Sequence, residues 1–277
     1  MTTVLPATRT AREIADLAVR ALHDEADLTP KPGLVDRRGQ GAHADMSLAM
    51  LHDSAEALHG CLEQCALAGE AVPVGLELRT TIGAIGRAGE RTMLATTGGV
   101  NTHRGALWAL GLISTALGAG ATDIAETLHT AAALARIPDP VRDSRAPTSH
   151  GAHVRRRYGV AGARGEAEAG FPHVTRYAMP AVHAGQAHLA LLTLIAHLND
   201  TCVLHRGGTP GLAAVQRAAH AVVSAGGVET AEGRRHYDVL ERLCIDRRLS
   251  PGGSGDLLSV ALLLHSLSER STSPCRP

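Results

Sequence analysis

The sequence contains a single lysine, Lys31, among 27 Lys and Arg residues, and one Trp, one Phe and three Tyr. Runs of β-branched or aromatic residues are scarce, and no segment sustains the apolar–polar alternation of a half-buried strand, so no sheet of three or more strands is expected. Five cysteines are too few, and of the wrong parity, for a disulfide framework. Cys61 and Cys65 lie one helical turn apart, but no second Cys or His pair completes a zinc pattern, and they read as small core residues. No basic-then-apolar leader opens the chain. The longest apolar runs, 189–198 and 260–267, fall well short of the ~20 residues that span a bilayer. These absences point to a soluble, cytoplasmic protein with no membrane partner. Acidic and basic residues balance at 27 each, and the basic doublets and triplets (155–157, 234–235, 247–248) have no interleaved aromatics. Both features argue against nucleic acid as a partner.

What is present is Ala, Leu and Arg at helical spacing over 277 residues, enough to bury a substantial core. Thr10 with Glu13 reads as a capping box opening a helix to about Leu28. Further helices are predicted over 45–68, 74–95, from Asn101 or Thr102 onward, from the Asp123/Glu126 capping box to about Ile137, and over 174–199 with a bend at Pro180. Three more are predicted over 211–225, 229–245 and 256–269. Residues 138–172, richer in Gly, Pro and Arg, read as a partly helical excursion, residues 203–211 as a Gly-rich turn, and the tail 271–277 as disordered. The expectation is one all-α domain of roughly ten helices covering the whole chain.

The loops carry the chemistry. In TPKPGLVDRRGQGAHADM (29–46) the one lysine sits between two prolines, each fixing its own φ and restricting its predecessor. The reading is a compact ammonium on a stiff arm, suited to a phosphorylated ligand, where the larger planar Arg would misplace the charge. Four other loops, at 98–105, 162–171, 199–208 and 250–256, combine glycine with Asn, His, Arg, Asp or Ser at helix ends. Unpaired N–H groups and the dipole favour anions there. Both asparagines of the chain, Asn101 and Asn199, fall in these loops. Any one loop is also an ordinary helix–helix turn; five suggest one shared polar cleft. None is a P-loop or a dinucleotide fingerprint. Asp36, Asp45, Asp200 and Asp256 stand at loop–helix junctions, where they suit either Mg²⁺ bridged to phosphates or helix capping.

The motifs TPKPGLVDRRGQGAHADM, GGVNTHRGALWALGL, YGVAGARGEAEAGFP, LNDTCVLHRGG and LSPGGSGDLL, in this order, resemble the triphosphoribosyl-dephospho-CoA synthase family. The chain departs from the family pattern at Arg104 (often Lys), Cys202 (often Asn) and Gly255 (often Ala). The resemblance implies transfer of the triphosphoribosyl group of ATP to the 2′-hydroxyl of 3′-dephospho-CoA with loss of adenine. The product would pass to a holo-acyl-carrier-protein transferase serving citrate lyase or malonate decarboxylase; a freestanding, Arg-rich chain leans toward the malonate system. Such a site needs cations and Mg²⁺ for the triphosphate, and an acid and a base for the exchange at ribose C1. On that reading Lys31, Asn101, His103, Arg104, Arg164, His205, Arg206, Gly252, Gly253 and Ser254 bind substrate or phosphate. Asp45, Asp200 and Asp256 hold Mg²⁺, and Asp36, His43 and Glu166 move protons. A homodimer is compatible with this reading. The rival readings are a Mg²⁺-dependent glycohydrolase of ADP-ribose-like ligands and a non-catalytic helical scaffold.

Overall fold

The computed structural model describes residues 9–141 and 150–269, and its regular structure is helical. The elements are α1 (Ala11–Asp27), α2 (Leu48–Ala57), α3 (His59–Ala71), α4 (Leu76–Thr96), α5 (Arg104–Gly118), α6 (Ile124–Arg136) and α7 (His150–Tyr158). These are followed by α8 (Gly162–Glu168), a π-helical turn (Val174–Ala178), α9 (Met179–His183), α10 (Ala187–His197), α11 (Thr201–Ser224), α12 (Ala231–Asp246) and α13 (Gly252–Glu269). The β pairing among the described residues is one isolated bridge, Asp36 with Gly39. The expected all-α class is therefore observed, with more and shorter helices than the periodicity suggests. No single described helix is long and apolar enough to cross a membrane. The tail expected to be disordered lies outside the described residues.

The α1 capping box forms as read: Thr10 Oγ accepts from the Glu13 N–H at 3.2 Å, and Glu13 accepts from the Thr10 N–H at 2.9 Å. The box expected at Asp123 is half made. Asp123 caps the Glu126 N–H, but the Glu126 carboxylate turns to the N–H and hydroxyl of Thr122. The helix expected over 45–68 divides at Leu58, which keeps right-handed φ and ψ and is fully buried, and Ser47 rather than Asp45 is the N-cap. The helix expected over 174–199 is interrupted at Gly185, whose φ of 71° suits glycine, and not at Pro180, which sits harmlessly in the first turn of α9. The turn expected over 203–211 lies within α11, broken only at Gly208 (φ 60°, ψ −166°) one residue before Thr209-Pro210. The last helix begins four residues early because Gly252, Gly253 and Ser254 form its first turn.

α5 forms the centre of the main core, with ten of its residues buried from Ala106 to Ala116, and it packs on α3, α4, α6 and α13. α3 meets it backbone to backbone. A Cβ on Gly69 would lie 2.2 Å from Thr115 O, and one on Gly118 would lie 2.0 Å from Ala66 O. This close crossing carries α5's N-terminus, and with it the 98–105 loop, against the rest of the site.

Gly118→Ala should force the two helices apart and cost about 1–3 kcal/mol, the usual scale for overpacking. Gly60→Ala, in α3 with open space beyond its Cα, should be neutral or slightly stabilising through helix propensity. Thermal melts of the two variants compare them; equal melting temperatures would remove the close-packing argument.

Candidate active site

The five loops close on one cavity of about 1240 Å³. Lys31, Asp45, His103, Arg164, Asp200 and Asp256, one or more from each loop, all border it. His43, Asn101, Arg104, Glu166, His205, Arg206, Gly252 and Gly253 border it as well. Asp36 and Ser254 do not.

One wall is acidic and dry. Lys31 is 1% exposed and does not reach into solvent on an extended arm. It turns inward, where its Nζ donates to the Glu25 carbonyl at 2.7 Å and to Glu25 Oε1 at 2.8 Å. The reason is local: α1 ends at Asp27, so the chain doubles back through Pro30 and lays Lys31 against the last turn of that helix. Asp200 is 2% exposed and caps two helices at once. Its Oδ1 accepts from the Cys202 and Val203 N–H groups opening α11, and its Oδ2 from the Ser254 N–H (2.9 Å) and hydroxyl (3.1 Å) in the first turn of α13. Asp256 lies against Gly105, where a Cβ would come within 2.0 Å of its Oδ2. Burial, then the neighbouring Asp200 and Glu25 carboxylates, push its pKa up to about 8, against a smaller opposing effect of the Ala106 N–H.

Next to this wall His103 is 4% exposed. Its Nδ1 is 2.9 Å from Ser54 Oγ, its Nε2 has no partner among the described residues, and burial followed by the Lys31 charge drops its pKa to about 3. It is a neutral imidazole with one nitrogen uncommitted. Glu166, buried in α8, accepts from the His173 backbone N–H at 2.8 Å and pairs with His173 Nδ1 at 2.7 Å. That pairing raises the His173 pKa against the opposing effect of burial. The geometry rests on the chain's one Phe. Phe171 is fully buried at φ 57°, and its N–H closes on Glu166 O at 2.9 Å. That is a left-handed conformation which a bulky residue adopts only under tertiary constraint.

Several expected site residues occupy structural positions. Asp36, expected to move protons, is 3% exposed and off the cavity. Its carboxylate accepts from the Lys31 N–H at 2.8 Å and from Arg38, whose guanidinium also pairs with Glu241. These bonds hold its pKa low despite burial and make it the clasp of its loop. Ser254, expected on phosphate, is fully buried and anchors Asp200. Arg206 donates to the carbonyls of Ala42 and Arg248 and to His43 Nδ1, so it ties three loops together. His43 Nε2 is in turn 2.8 Å from Ser250 Oγ. Burial, then Arg206, lower its pKa. Arg104 and Arg164 are paired with Glu90 and Glu168, and Asn101 Oδ1 accepts from the Arg104 N–H at 3.2 Å. Asp45 is exposed and stands 3.8 Å from His43 Nδ1.

The sequence reading missed Glu25, Arg79, Trp108 and Ser250, all of which border the cavity. Glu25 had a signal: it continues the buried stripe of Ile14, Ala18, Ala21 and Leu22 on α1, and a carboxylate in that register must find a partner. Arg79 and Trp108 sit near the starts of α4 and α5, outside every polar loop.

The donor set suits a hard cation. Asp256 has two carboxylate neighbours and no cationic partner among the described residues, so its charge is offset by a proton, which a bound cation would replace. No three carboxylates or imidazoles among the described residues form a ready-made metal cage. Mg²⁺ usually needs only one or two carboxylates besides phosphate and water. Asp200 is the poorer donor, since its four hydrogen bonds hold two helix ends.

Lys31→Met should leave Glu25 buried and unpaired beside Asp256, at a cost of about 3–5 kcal/mol and a melting temperature lower by roughly 10 °C. Lys31→Met with Glu25→Gln should recover much of the loss. A single variant that melts like the parent would show that the pair does not hold the wall. A second expectation concerns pH. The His173 pKa is raised in the folded state, so the Glu166–His173 pair stabilises fully below the unfolded His value near 6.5. That stability is lost as pH rises through the folded value. The melting difference between parent and Glu166→Gln should therefore be larger at pH 6 than at pH 9; an equal difference would rule out a charged pair.

Comparison with known proteins identifies the family. The family model described as ATP:dephospho-CoA triphosphoribosyl transferase matches residues 11–274. A protein of Stutzerimonas stutzeri (strain A1501), named a probable 2-(5''-triphosphoribosyl)-3'-dephosphocoenzyme-A synthase, is 49% identical over 95% of this chain and 94% of its own. One of Pseudomonas fluorescens (strain Pf0-1), with the same name, is 50% identical over 92% of this chain and 91% of its own. A third with that name, from Azotobacter vinelandii (strain DJ / ATCC BAA-1303), is 48% identical over 95% and 94%. No solved structure matches. The chain belongs to the ATP:dephospho-CoA triphosphoribosyl transferase family.

Proposed function

We propose that this chain is a pentosyltransferase that moves the triphosphoribosyl group of ATP onto dephospho-CoA, and that the cavity described above is where it does so. The observation that carries the reading is the cavity itself. At about 1240 Å³ it exceeds the ~300–1,000 Å³ of an ordinary single-ligand pocket, as two nucleotide substrates require. It is built by loops from nearly the whole length of the chain, so the chain acts as one catalytic domain. Both rival readings lose ground: a scaffold needs no such cavity, and a hydrolase needs no room for a second nucleotide.

The finer reading follows from the charges. ATP lies with its triphosphate toward the carboxylate wall, where Asp256, with Asp45, would hold Mg²⁺. When bound, the ion would neutralise phosphate charge that the wall would otherwise repel. Asp200 fixes the start of α13, and so the position of Asp256. Glu166 is the base for the attacking 2′-hydroxyl of 3′-dephospho-CoA; its two bonds from His173 aim it and leave lone pairs free on both oxygens. The proton moves to a Glu166 oxygen as the hydroxyl oxygen bonds ribose C1 and the bond to adenine breaks. Adenine leaves with the electron pair of that bond; Ser250, bonded to His43 and bordering the cavity, donates a hydrogen bond to it, and the adenine anion takes up its proton from solvent. Neutral His103 adds a hydrogen bond from its free nitrogen without adding charge. The product is the prosthetic-group precursor of an acyl carrier subunit, handed on to a holo-acyl-carrier-protein transferase.

Adenine released from ATP, measured by chromatography with and without dephospho-CoA and Mg²⁺, tests the reading. Release should need both and match the triphosphoribosyl product one for one. Glu166→Gln should lower kcat by about 10²–10⁴-fold, the usual worth of a general base. Adenine and free ribose triphosphate formed without the acceptor would instead identify a hydrolase, and full activity in EDTA would remove the Mg²⁺ assignment.

A further inference from the structure

Opposite in character to the carboxylate wall is a part of the cavity built by α4 and α5. Arg79, Arg104, Trp108 and Asp139 border both the main cavity and an adjoining chamber of about 230 Å³. Arg79 is 6% exposed, yet among the described residues its guanidinium makes no hydrogen bond. Its closest carboxylate oxygen, Asp139 Oδ2, is 3.6 Å from Nη1 and is already held at 2.6 Å by Arg87. Arg79 Nε, Arg104 Nε and Trp108 Nε1 are all buried without a hydrogen-bond partner among the described residues. The Arg79 guanidinium rests over the ring of Trp108, 5.3 Å from its centroid. Gly83 lets Asp139 and Arg79 both lie against its helix, since a Cβ there would come within 2.3 Å of Asp139 Oδ2 and 2.9 Å of Arg79 Nη1.

A buried guanidinium with its donors unmet is costly unless something else supplies acceptors. A guanidinium remains charged under all ordinary conditions and presents a planar fork that fits two phosphate oxygens. Asp139, then Arg164 and Arg87, act on Arg79 electrostatically; with Arg87, Arg104 and Arg164 paired to Asp139, Glu90 and Glu168, the Arg79 charge is the one left over for an anion. The transferase reading puts two polyanions in one cavity, and they repel each other unless held apart. A triphosphate carrying a metal suits the carboxylates, whereas a diphosphate without one suits the arginines.

We propose that Arg79, braced on Trp108, binds the metal-free diphosphate of the acceptor dephospho-CoA, leaving the carboxylate wall to the triphosphate of ATP. The assignment rests on the transferase reading and adds to it the separation of the two substrates. It places the two ribose groups between these two sites, in the cavity that Glu166 also borders.

Trp108 is the chain's only tryptophan, so its emission reports on this region directly. Dephospho-CoA titrated into the protein in EDTA should change that emission saturably, and ADP, as the smallest diphosphate probe, should do so more weakly. Arg79→Met should weaken dephospho-CoA binding by about 10-fold or more, and Arg79→Lys by less, because a point charge replaces the fork. In steady state the KM for dephospho-CoA should rise by a similar factor while the KM for ATP with Mg²⁺ stays within about twofold. If Arg79→Met melts below the assay temperature, Arg79→Lys carries the comparison. Unchanged dephospho-CoA affinity in the variants, or a rise in the KM for ATP instead, would overturn the assignment and leave the transferase reading standing. Calorimetry showing no dephospho-CoA binding to the parent protein at all would bring down both.

Discussion

One ammonium buried with three carboxylates is the constraint on which the site depends. Glu25, Asp200 and Asp256 approach one another in a wall from which water is nearly excluded, and Lys31 is the cation within it. Like charges at this depth repel strongly. The fold contains them in three ways. Glu25 is neutralised by Lys31, Asp200 is solvated by four hydrogen bonds from two helix ends, and Asp256 holds its proton until pH approaches about 8. A cation that displaces the Asp256 proton would leave that carboxylate charged at the cavity, a suitable place for a metal-bound triphosphate.

That wall depends on helix ends more than on side-chain packing. Asp200 joins the start of α11 to the start of α13, and α13 in turn carries Asp256 against Gly105 at the start of α5. α5 is seated by its backbone-to-backbone crossing with α3. A shift in any of these helices would move a carboxylate, which explains why glycines stand at the contacts. Arg206 and the Asp36–Arg38 clasp play a similar part from outside, fixing the 29–46 loop so that Lys31 stays turned inward.

The part of the cavity built by α4 and α5 has one buried guanidinium, Arg79, short of acceptors, where the wall has carboxylates short of cations. A transfer between two phosphorylated nucleotides benefits from this polarity. On the proposed reading it orients each substrate by charge, keeps the phosphate chains apart, and leaves the exchange at ribose to Glu166, His103 and Ser250, which border the same cavity.

The fold class was legible because apolar spacing and the shortage of strand-forming residues are local properties of the chain. So was the membership of the five polar loops in a common site, which their shared composition at helix ends suggested. The roles within the loops were not legible. Lys31 read as an exposed phosphate-binding arm because two prolines stiffen it, but nothing near it in sequence shows that it folds back on Glu25. Asp36 and Ser254 carry the same chemistry as true cavity residues, and only tertiary structure turns Asp36 toward Arg38 and Ser254 toward Asp200. Arg79 and Trp108 lie in regular helices where any sequence reading assigns surface or core. By itself the sequence determined which segments are helical and which loops are polar, because those follow from propensity and periodicity. The tertiary structure decided which charges pair and which remain free to meet a ligand, because pairing depends on contacts between residues as far apart in the chain as Asp200 and Ser254, or Arg79 and Asp139.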